Sequence, residues 1–208
     1  MPDRLIQVLD TRRLTMTNRT TETGLDPIFL ARWSPRAFDG SAIPQADLDT
    51  IFDAARWAPS AFNYQPWRFV YSLNGDAHWE AFLSILVPFN ARWARNASAL
   101  VFILSDTQMV SANGVSDLHS HSFDAGASWA QLGLQAIKLG YHTHGMTGID
   151  FDKARTTLGV PERFRVEAAV AIGKISDPAG LPEGLREREI PSGRKALEQI
   201  VSVGKFVA

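Results

Sequence analysis

Two short stretches carry most of the side chains able to hold a charged or heterocyclic ligand. Arg32-Trp33-Ser34-Pro35-Arg36 places two guanidiniums and a hydroxyl within five residues. Arginine offers forked donors, so such a group can converge on one phosphate or another anion. A solvated basic turn has the same composition. Pro59-Ser60-Ala61-Phe62-Asn63-Tyr64-Gln65-Pro66-Trp67 holds two side-chain amides, a serine and two stiffening prolines, with aromatics interleaved. Amides two residues apart present donors and acceptors suited to the edge of a heterocycle. The same residues also make an ordinary loop.

Other chemistries find less support. His119-Ser120-His121 and His142-Thr143-His144 give four imidazoles in two pairs. Alternate residues of a strand share a face, which can suit zinc. There is no H-E-x-x-H pattern and no carboxylate at a metal-ligand spacing, so no metal is expected and the pairs read as surface or hydrogen-bonded histidines. Ser60 with a His and an Asp could form a hydrolase triad, but no G-x-S-x-G elbow surrounds it. Neither G-x-G-x-x-G nor a Walker sequence occurs, which argues against a built-in dinucleotide domain. The absence of cysteine removes disulfides, thiolate-held zinc, Cys-ligated iron–sulfur clusters and a thiol nucleophile.

Composition sets the frame for these residues. The chain has 208 residues, 45% hydrophobic, and its 21 basic and 22 acidic side chains leave a net charge of −1. That balance argues against wholesale nucleic-acid or polybasic membrane binding. The length suffices for one sizeable core. No apolar run reaches the 18 or so residues of a spanning helix, and the first 24 residues lack the apolar stretch of a signal peptide. A cytoplasmic, soluble protein is the expectation.

The elements that must position the candidate residues can be read in outline. Residues 1–25 form a polar, Thr-rich arm, and 26–208 a single domain. Asp26-Pro27 opens a helix expected to end near Ser34-Pro35. A second helix starts at Pro44, carries Leu48, Ile51, Phe52 and Ala55 on one stripe, and stops at Ala58-Pro59. Trp67 to Leu73 reads as a strand, residues 76–86 as a helix, and Ala99 to Leu104 as a buried strand. An Ala/Gly-rich helix spans 123–139, a short helix 151–158 and a strand Val166 to Ile172. The tail from Lys174 to Pro191 is expected to cross the surface without entering the core. The order gives mixed α and β, one sheet with helices on it, with strand direction left open.

With these blocks in place, the chain resembles the FMN-dependent nitroreductase family. The resemblance rests on Arg32-x-Ser34-x-Arg36-x-Phe38, on Ala54-Ala-Arg-Trp-Ala-Pro-Ser60-x-x-Asn63-x-Gln65-Pro-Trp-Arg-Phe-Val70, and on Asn90-x-x-Trp93. Asp124-Ala-Gly126, Met146-Thr-Gly-Ile-Asp150, Ala171-Ile-Gly173 and Ser192-Gly-Arg194-Lys195 follow in order. Each motif alone is common; their order and spacing, from about Ile28 to Val201, carry the likeness. Trp33, Thr147 and Ser192 depart from it, standing where relatives often have a basic residue or His, a Glu and a Lys.

The resemblance implies an α+β nitroreductase-like fold, with a mostly antiparallel central sheet flanked by helices and a homodimer of intertwined subunits. It implies FMN between subunits, with Arg32 and Arg194 on the phosphate, Trp33 and Ser34 adding contacts, and Arg36 at the N1–C2 carbonyl edge. Pro59, Ser60, Ala61, Asn63 and Gln65 would come from the partner subunit. Asn90 would meet the pyrimidine edge, and Met146, Thr147 and Gly148 would line the ring near N5. No side chain is assigned as a catalytic nucleophile, because flavin N5 carries the chemistry. NAD(P)H would be a transient co-substrate in a ping-pong reaction with nitroaromatic, quinone or similar small acceptors. The alternatives are a flavin-binding protein without turnover and a relative that dehalogenates or cleaves rings.

Overall fold

The computed structural model describes residues 19–21 and 23–206. Among the described residues the α-helices and β-strands follow in chain order: α1 (Pro27–Ala31), α2 (Gln45–Arg56), β1 (Trp67–Leu73), α3 (Trp79–Leu83), α4 (Pro88–Ala94), β2 (Ala99–Asp106), β3 (Gln108–Ser111), β4 (Gly114–Asp117), α5 (His121–Lys138), β5 (His142–Met146), α6 (Phe151–Leu158), β6 (Phe164–Gly173) and α7 (Glu183–Arg186). The main sheet has the order β1-β2-β6-β5, and β3-β4 form a separate hairpin. Every ladder is antiparallel, with Phe69 opposite Ile103, Val101 opposite Val170 and His144 opposite Ala171.

Strand β2 explains why helices cover both faces. All eight of its residues are buried, so neither face can meet water. Leu100, Phe102 and Leu104 pack with Phe38, Phe82 and Trp93 on one side. Ala99, Val101 and Ile103 pack with Leu48 and Ile51 of α2 and Leu132 and Ala136 of α5 on the other. Helix α5, 18 residues and so about 27 Å long, is the spine of that second layer. Ser128 Oγ donates to Ala55 O at 2.9 Å, fixing α5 against α2.

Several expectations match and several are corrected. Asp26 caps α1 by accepting from Ile28 N at 2.9 Å. The helix nevertheless ends at Ala31, because Arg32 already has extended backbone, ψ 118°. The expected helix over 76–86 shrinks to α3, and α4, β5 and the β3–β4 hairpin were not read at all. The tail does enter the core: Leu181, just before α7, and Leu185, within it, are 7% and 4% exposed and pack into the cluster around Phe82 and Trp93. The arm expected over residues 1–25 lies mostly outside the described residues. Its end, Arg19, donates to Leu30 O and Arg32 O at 3.1 and 2.8 Å.

Candidate functional site

Strand β5 and the adjoining face of α5 pack closely because both carry glycine where they meet. A Cβ on Gly133 would lie 3.3 Å from Thr143 Oγ1 and 3.8 Å from Arg32 Cδ. One on Gly145 would lie 3.2 Å from the indole of Trp129. Gly126, Trp129 and Gly133, three and four residues apart, share one helical face. Where β5 ends, this face opens into a cavity of about 160 Å³ walled by Trp129, Gly145 and Val170, with Ser122 and Glu167 also lining it.

Arginines gather where α1 meets α5 and β5. Arg32 is half-buried, and its pKa is lowered by burial and then by the charges of Arg194 and Arg19. Arg194 also lowers the pKa of Arg19, second to burial. Three guanidiniums, far apart in sequence, therefore converge. Arg32 and Arg194 form no ion pair among the described residues. Arg32 Nη1 donates to Ser34 Oγ at 3.4 Å, and Arg194 Nη1 folds back onto Gly193 O at 2.8 Å. Trp33 turns inward, 9% exposed, its ring edge-on to His142 at 6.3 Å. His142 is buried, and neither of its ring nitrogens has a hydrogen-bond partner. Arg32 and Arg194 beside an orphaned imidazole fit a phosphate group, which brings negative charge and several strong acceptors.

The other sequence-predicted residues fall into three places. Arg36 sits beside Glu189, whose Oε2 is 3.8 Å from Arg36 Nη1. Glu189 Oε1 accepts from the amides of Arg36 and Ala37 at 2.5 and 2.8 Å. Asn90 Nδ2 donates to Gly148 O at 3.0 Å, and Val87 N donates to the same carbonyl at 3.1 Å, so α4 clamps the chain leaving β5. Met146 is buried while Thr147 is exposed.

The Pro59–Gln65 loop is held at the far end of α5. Ala61 N donates to Asp124 Oδ2 at 3.2 Å, and Ser120 Oγ donates to that oxygen at 2.8 Å. Ser60 Oγ accepts from Gln65 N at 3.0 Å, and Gln65 Nε2 donates to Asn63 O at 2.9 Å. Phe62, Asn63 and Gln65 all have left-handed backbone, φ 53°, 52° and 54°. Each such non-glycine residue costs on the order of 1 kcal/mol. Within one chain this loop does not join the arginine cluster: Asp124 and Gly133 are nine residues apart, roughly 14 Å along the helix axis.

The histidines separate. His142 and His144 share one face of β5, and His144 Nδ1 meets Pro35 O at 2.9 Å, holding the Ser34-Pro35 turn. His121 joins Ser105, Ser122 and Glu167, with Ser105 Oγ 2.8 Å from its Nδ1 and 2.5 Å from Glu167 Oε1. Arg19, Glu189 and Asp124 were missed as functional candidates from sequence. Asp124 had a signal, since it opens the Gly/Ala-rich helix, whereas no local pattern marks Arg19 or Glu189.

An antiparallel sheet covered by helices on both faces defines an α+β protein. The chain belongs to the nitroreductase family, whose model matches residues 30–174. A solved structure described as an oxidoreductase containing FMN is 49% identical, with a TM-score of 0.90, covering 92% of this chain and 98% of that one. An uncharacterized 15.4 kDa protein of Mycolicibacterium smegmatis is 32% identical over 67% of this chain and 97% of its own length. An enone reductase of CLA biosynthesis from Lactiplantibacillus plantarum is 29% identical over 73% of this chain and 86% of its own.

Proposed function

We propose that this chain is an FMN-dependent NAD(P)H oxidoreductase that passes hydride to nitroaromatics, quinones or similar small electrophiles. The observation that carries the reading is the convergence of Arg32 and Arg194, with Arg19 beside them, where α5 packs on β5 through Gly133. A phosphate monoester, with nearly two negative charges, suits the forked donors of Arg32 and Arg194. The 49%-identical structure described as containing FMN, and the enone reductase among the relatives, support it.

Bound FMN supplies reversible acceptance and donation of hydride. The residues of the chain bind, orient and tune. Arg32, Arg194 and Ser34 hold the phosphate, with Trp33 backing them from inside. Arg36 stands at the N1–C2 carbonyl edge, where a cation favours the negative charge that reduction brings. Asn90 serves the pyrimidine edge and keeps Gly148 in place, so that Met146, Thr147 and Gly148 line the ring largely through backbone groups. Pro59, Ser60, Ala61, Asn63 and Gln65 complete the site from a second copy of the chain. The exposed apolar side chains of Phe62, Phe123, Leu197, Val203 and Phe206 support a homodimer, since such surface is usually covered. NAD(P)H and acceptor use the site in turn. Among the described residues no helix is long and apolar enough to cross a membrane, and we place the protein in the cytoplasm.

Anaerobic addition of NADH or NADPH to the FMN-loaded protein tests the reading. Bleaching of the visible flavin band is expected with at least one of them. Persistent colour with both would favour a flavin-binding protein without turnover.

A further inference from the structure

His142 opens β5 as a buried side chain, 7% exposed, with both ring nitrogens unbonded. Its surroundings can be named element by element. From the end of α1, Arg32 is the charged group that acts on it, and Trp33 packs edge-on to it at 6.3 Å. Strand β6 opposes it with Gly173. Helix α5 meets the other face of β5, through Gly133 at Thr143. On its own strand, His144 is committed to Pro35 O. Lys174, just past β6, lies over the Tyr141 ring at 5.5 Å. Arg32 is thus the charge that acts on the ring, with Arg194 acting in turn on Arg32, while the carboxylates Asp47 and Asp39 act on the neighbouring Tyr141, whose hydroxyl donates to Asp47 Oδ2 at 2.9 Å. Buried polar atoms are normally hydrogen-bonded, so two orphan nitrogens in a positive field call for an anion rich in acceptors.

We propose that His142 is a phosphate ligand: its imidazole takes up a proton and donates a hydrogen bond to the same phosphate monoester that Arg32 and Arg194 hold. This rests on the FMN reading and deepens it, naming a group that couples cofactor binding to pH. Burial and then the charge of Arg32 pull the pKa of the ring down to about 4, so at neutral pH the apoprotein carries it uncharged. A dianion at the ring reverses the sign of the local field and favours the imidazolium. The proton comes from solvent, the N–H donates to a phosphate oxygen, and no covalent bond changes. By linkage, FMN binds with proton uptake and binds less tightly as pH rises.

Calorimetric titration of the apoprotein with FMN at about pH 8, where a free phosphate monoester is already a dianion, tests this in two buffers of different ionisation enthalpy. Wild type is expected to take up most of a proton per FMN, and riboflavin, which lacks the phosphate, none. His142→Asn and His142→Phe should both abolish the uptake and flatten the pH dependence of the dissociation constant. In wild type that constant should weaken by up to tenfold per pH unit as pH rises toward the pKa of the bound imidazole, and level off above it. Equal uptake in wild type and both variants, or equal uptake with riboflavin, overturns the proposal while leaving the FMN reading standing. Failure of wild type to bind FMN overturns both.

Discussion

Asn90 Nδ2 donates to Gly148 O at 3.0 Å, and a methyl group on Gly148 would lie only 2.5 Å from that same nitrogen. The two positions are therefore sterically and chemically coupled. The Asn90 amide fills the space that a Gly148 side chain would need, and its hydrogen bond holds the backbone turn after β5.

Gly148→Ala should push the Asn90 amide out of place and lower stability by about 1–3 kcal/mol, the usual cost of overpacking. Asn90→Ala alone should cost the hydrogen bond, about 1 kcal/mol. The double variant should be more stable than the sum predicts, because removing the amide relieves the clash. Denaturant unfolding of the four proteins checks this; strict additivity would show that the contact does not constrain the turn.

The Pro59–Gln65 loop stores backbone strain that its sequence does not relieve. Phe62, with φ 53° and 88% of its side chain exposed, gains nothing visible from its left-handed backbone within one chain. Phe62→Gly should relieve that strain and raise apoprotein stability by up to about 1 kcal/mol, less the entropy that glycine loses on folding. The same change should weaken FMN retention, since strain kept at a binding loop serves preorganisation. Thermal unfolding and an FMN titration of one sample separate the two effects.

Glu189 sets how much charge Arg36 can offer. Glu189→Gln keeps an acceptor for the amides of Arg36 and Ala37 but removes the negative charge 3.8 Å from the guanidinium. With Arg36 at the carbonyl edge of the flavin, reduction then brings negative charge toward a less neutralised cation. The midpoint potential of bound FMN should move in the positive direction, read by spectroelectrochemical titration. An unchanged potential would remove Arg36 from that edge.

Much of this arrangement was legible where the pattern is local. Strand β1 and helix α6 fall where their patterning places them, and β2 and β6 follow their apolar runs. Strand β5 was hidden because His-Thr-His-Gly-Met carries no β-type alternation and earns its burial from α5 and Trp93. Helix α4 begins with Pro88 at its first position, a start signal with too short a stripe behind it to read. Arg32 and Arg194 were assigned by resemblance, and their convergence is tertiary. Arg19 and Glu189 act across 13 and 153 residues of separation from Arg32 and Arg36, beyond any sequence window.

Acid should weaken the apoprotein in two stages. His142 and His144 both have pKa values lowered to about 4, by burial first; Arg32 adds to this at His142. At His144 the Pro35 hydrogen bond opposes the shift and the charge of Arg36 adds to it. The unfolded chain protonates these rings near pH 6.5, so stability falls as pH drops from about 6.5 toward 4. Burial pushes the Asp106 carboxyl up, but hydrogen bonds from Arg163 and Gln108 N and the charge of Arg163 leave it lowered. Its contribution is full above about pH 3.9, the unfolded value, and is lost below that as pH falls through the folded one. Melting temperature against pH should show both stages, and His142→Phe should flatten part of the first.

The most direct test of the account is the stoichiometry of FMN taken up by the purified apoprotein, followed by visible absorption and compared with Arg32→Ala and Arg194→Ala. The account predicts a yellow protein with one FMN per chain and weakened retention in both variants. A wild-type protein that stays colourless after incubation with FMN, or variants that hold it as tightly as wild type, would contradict it.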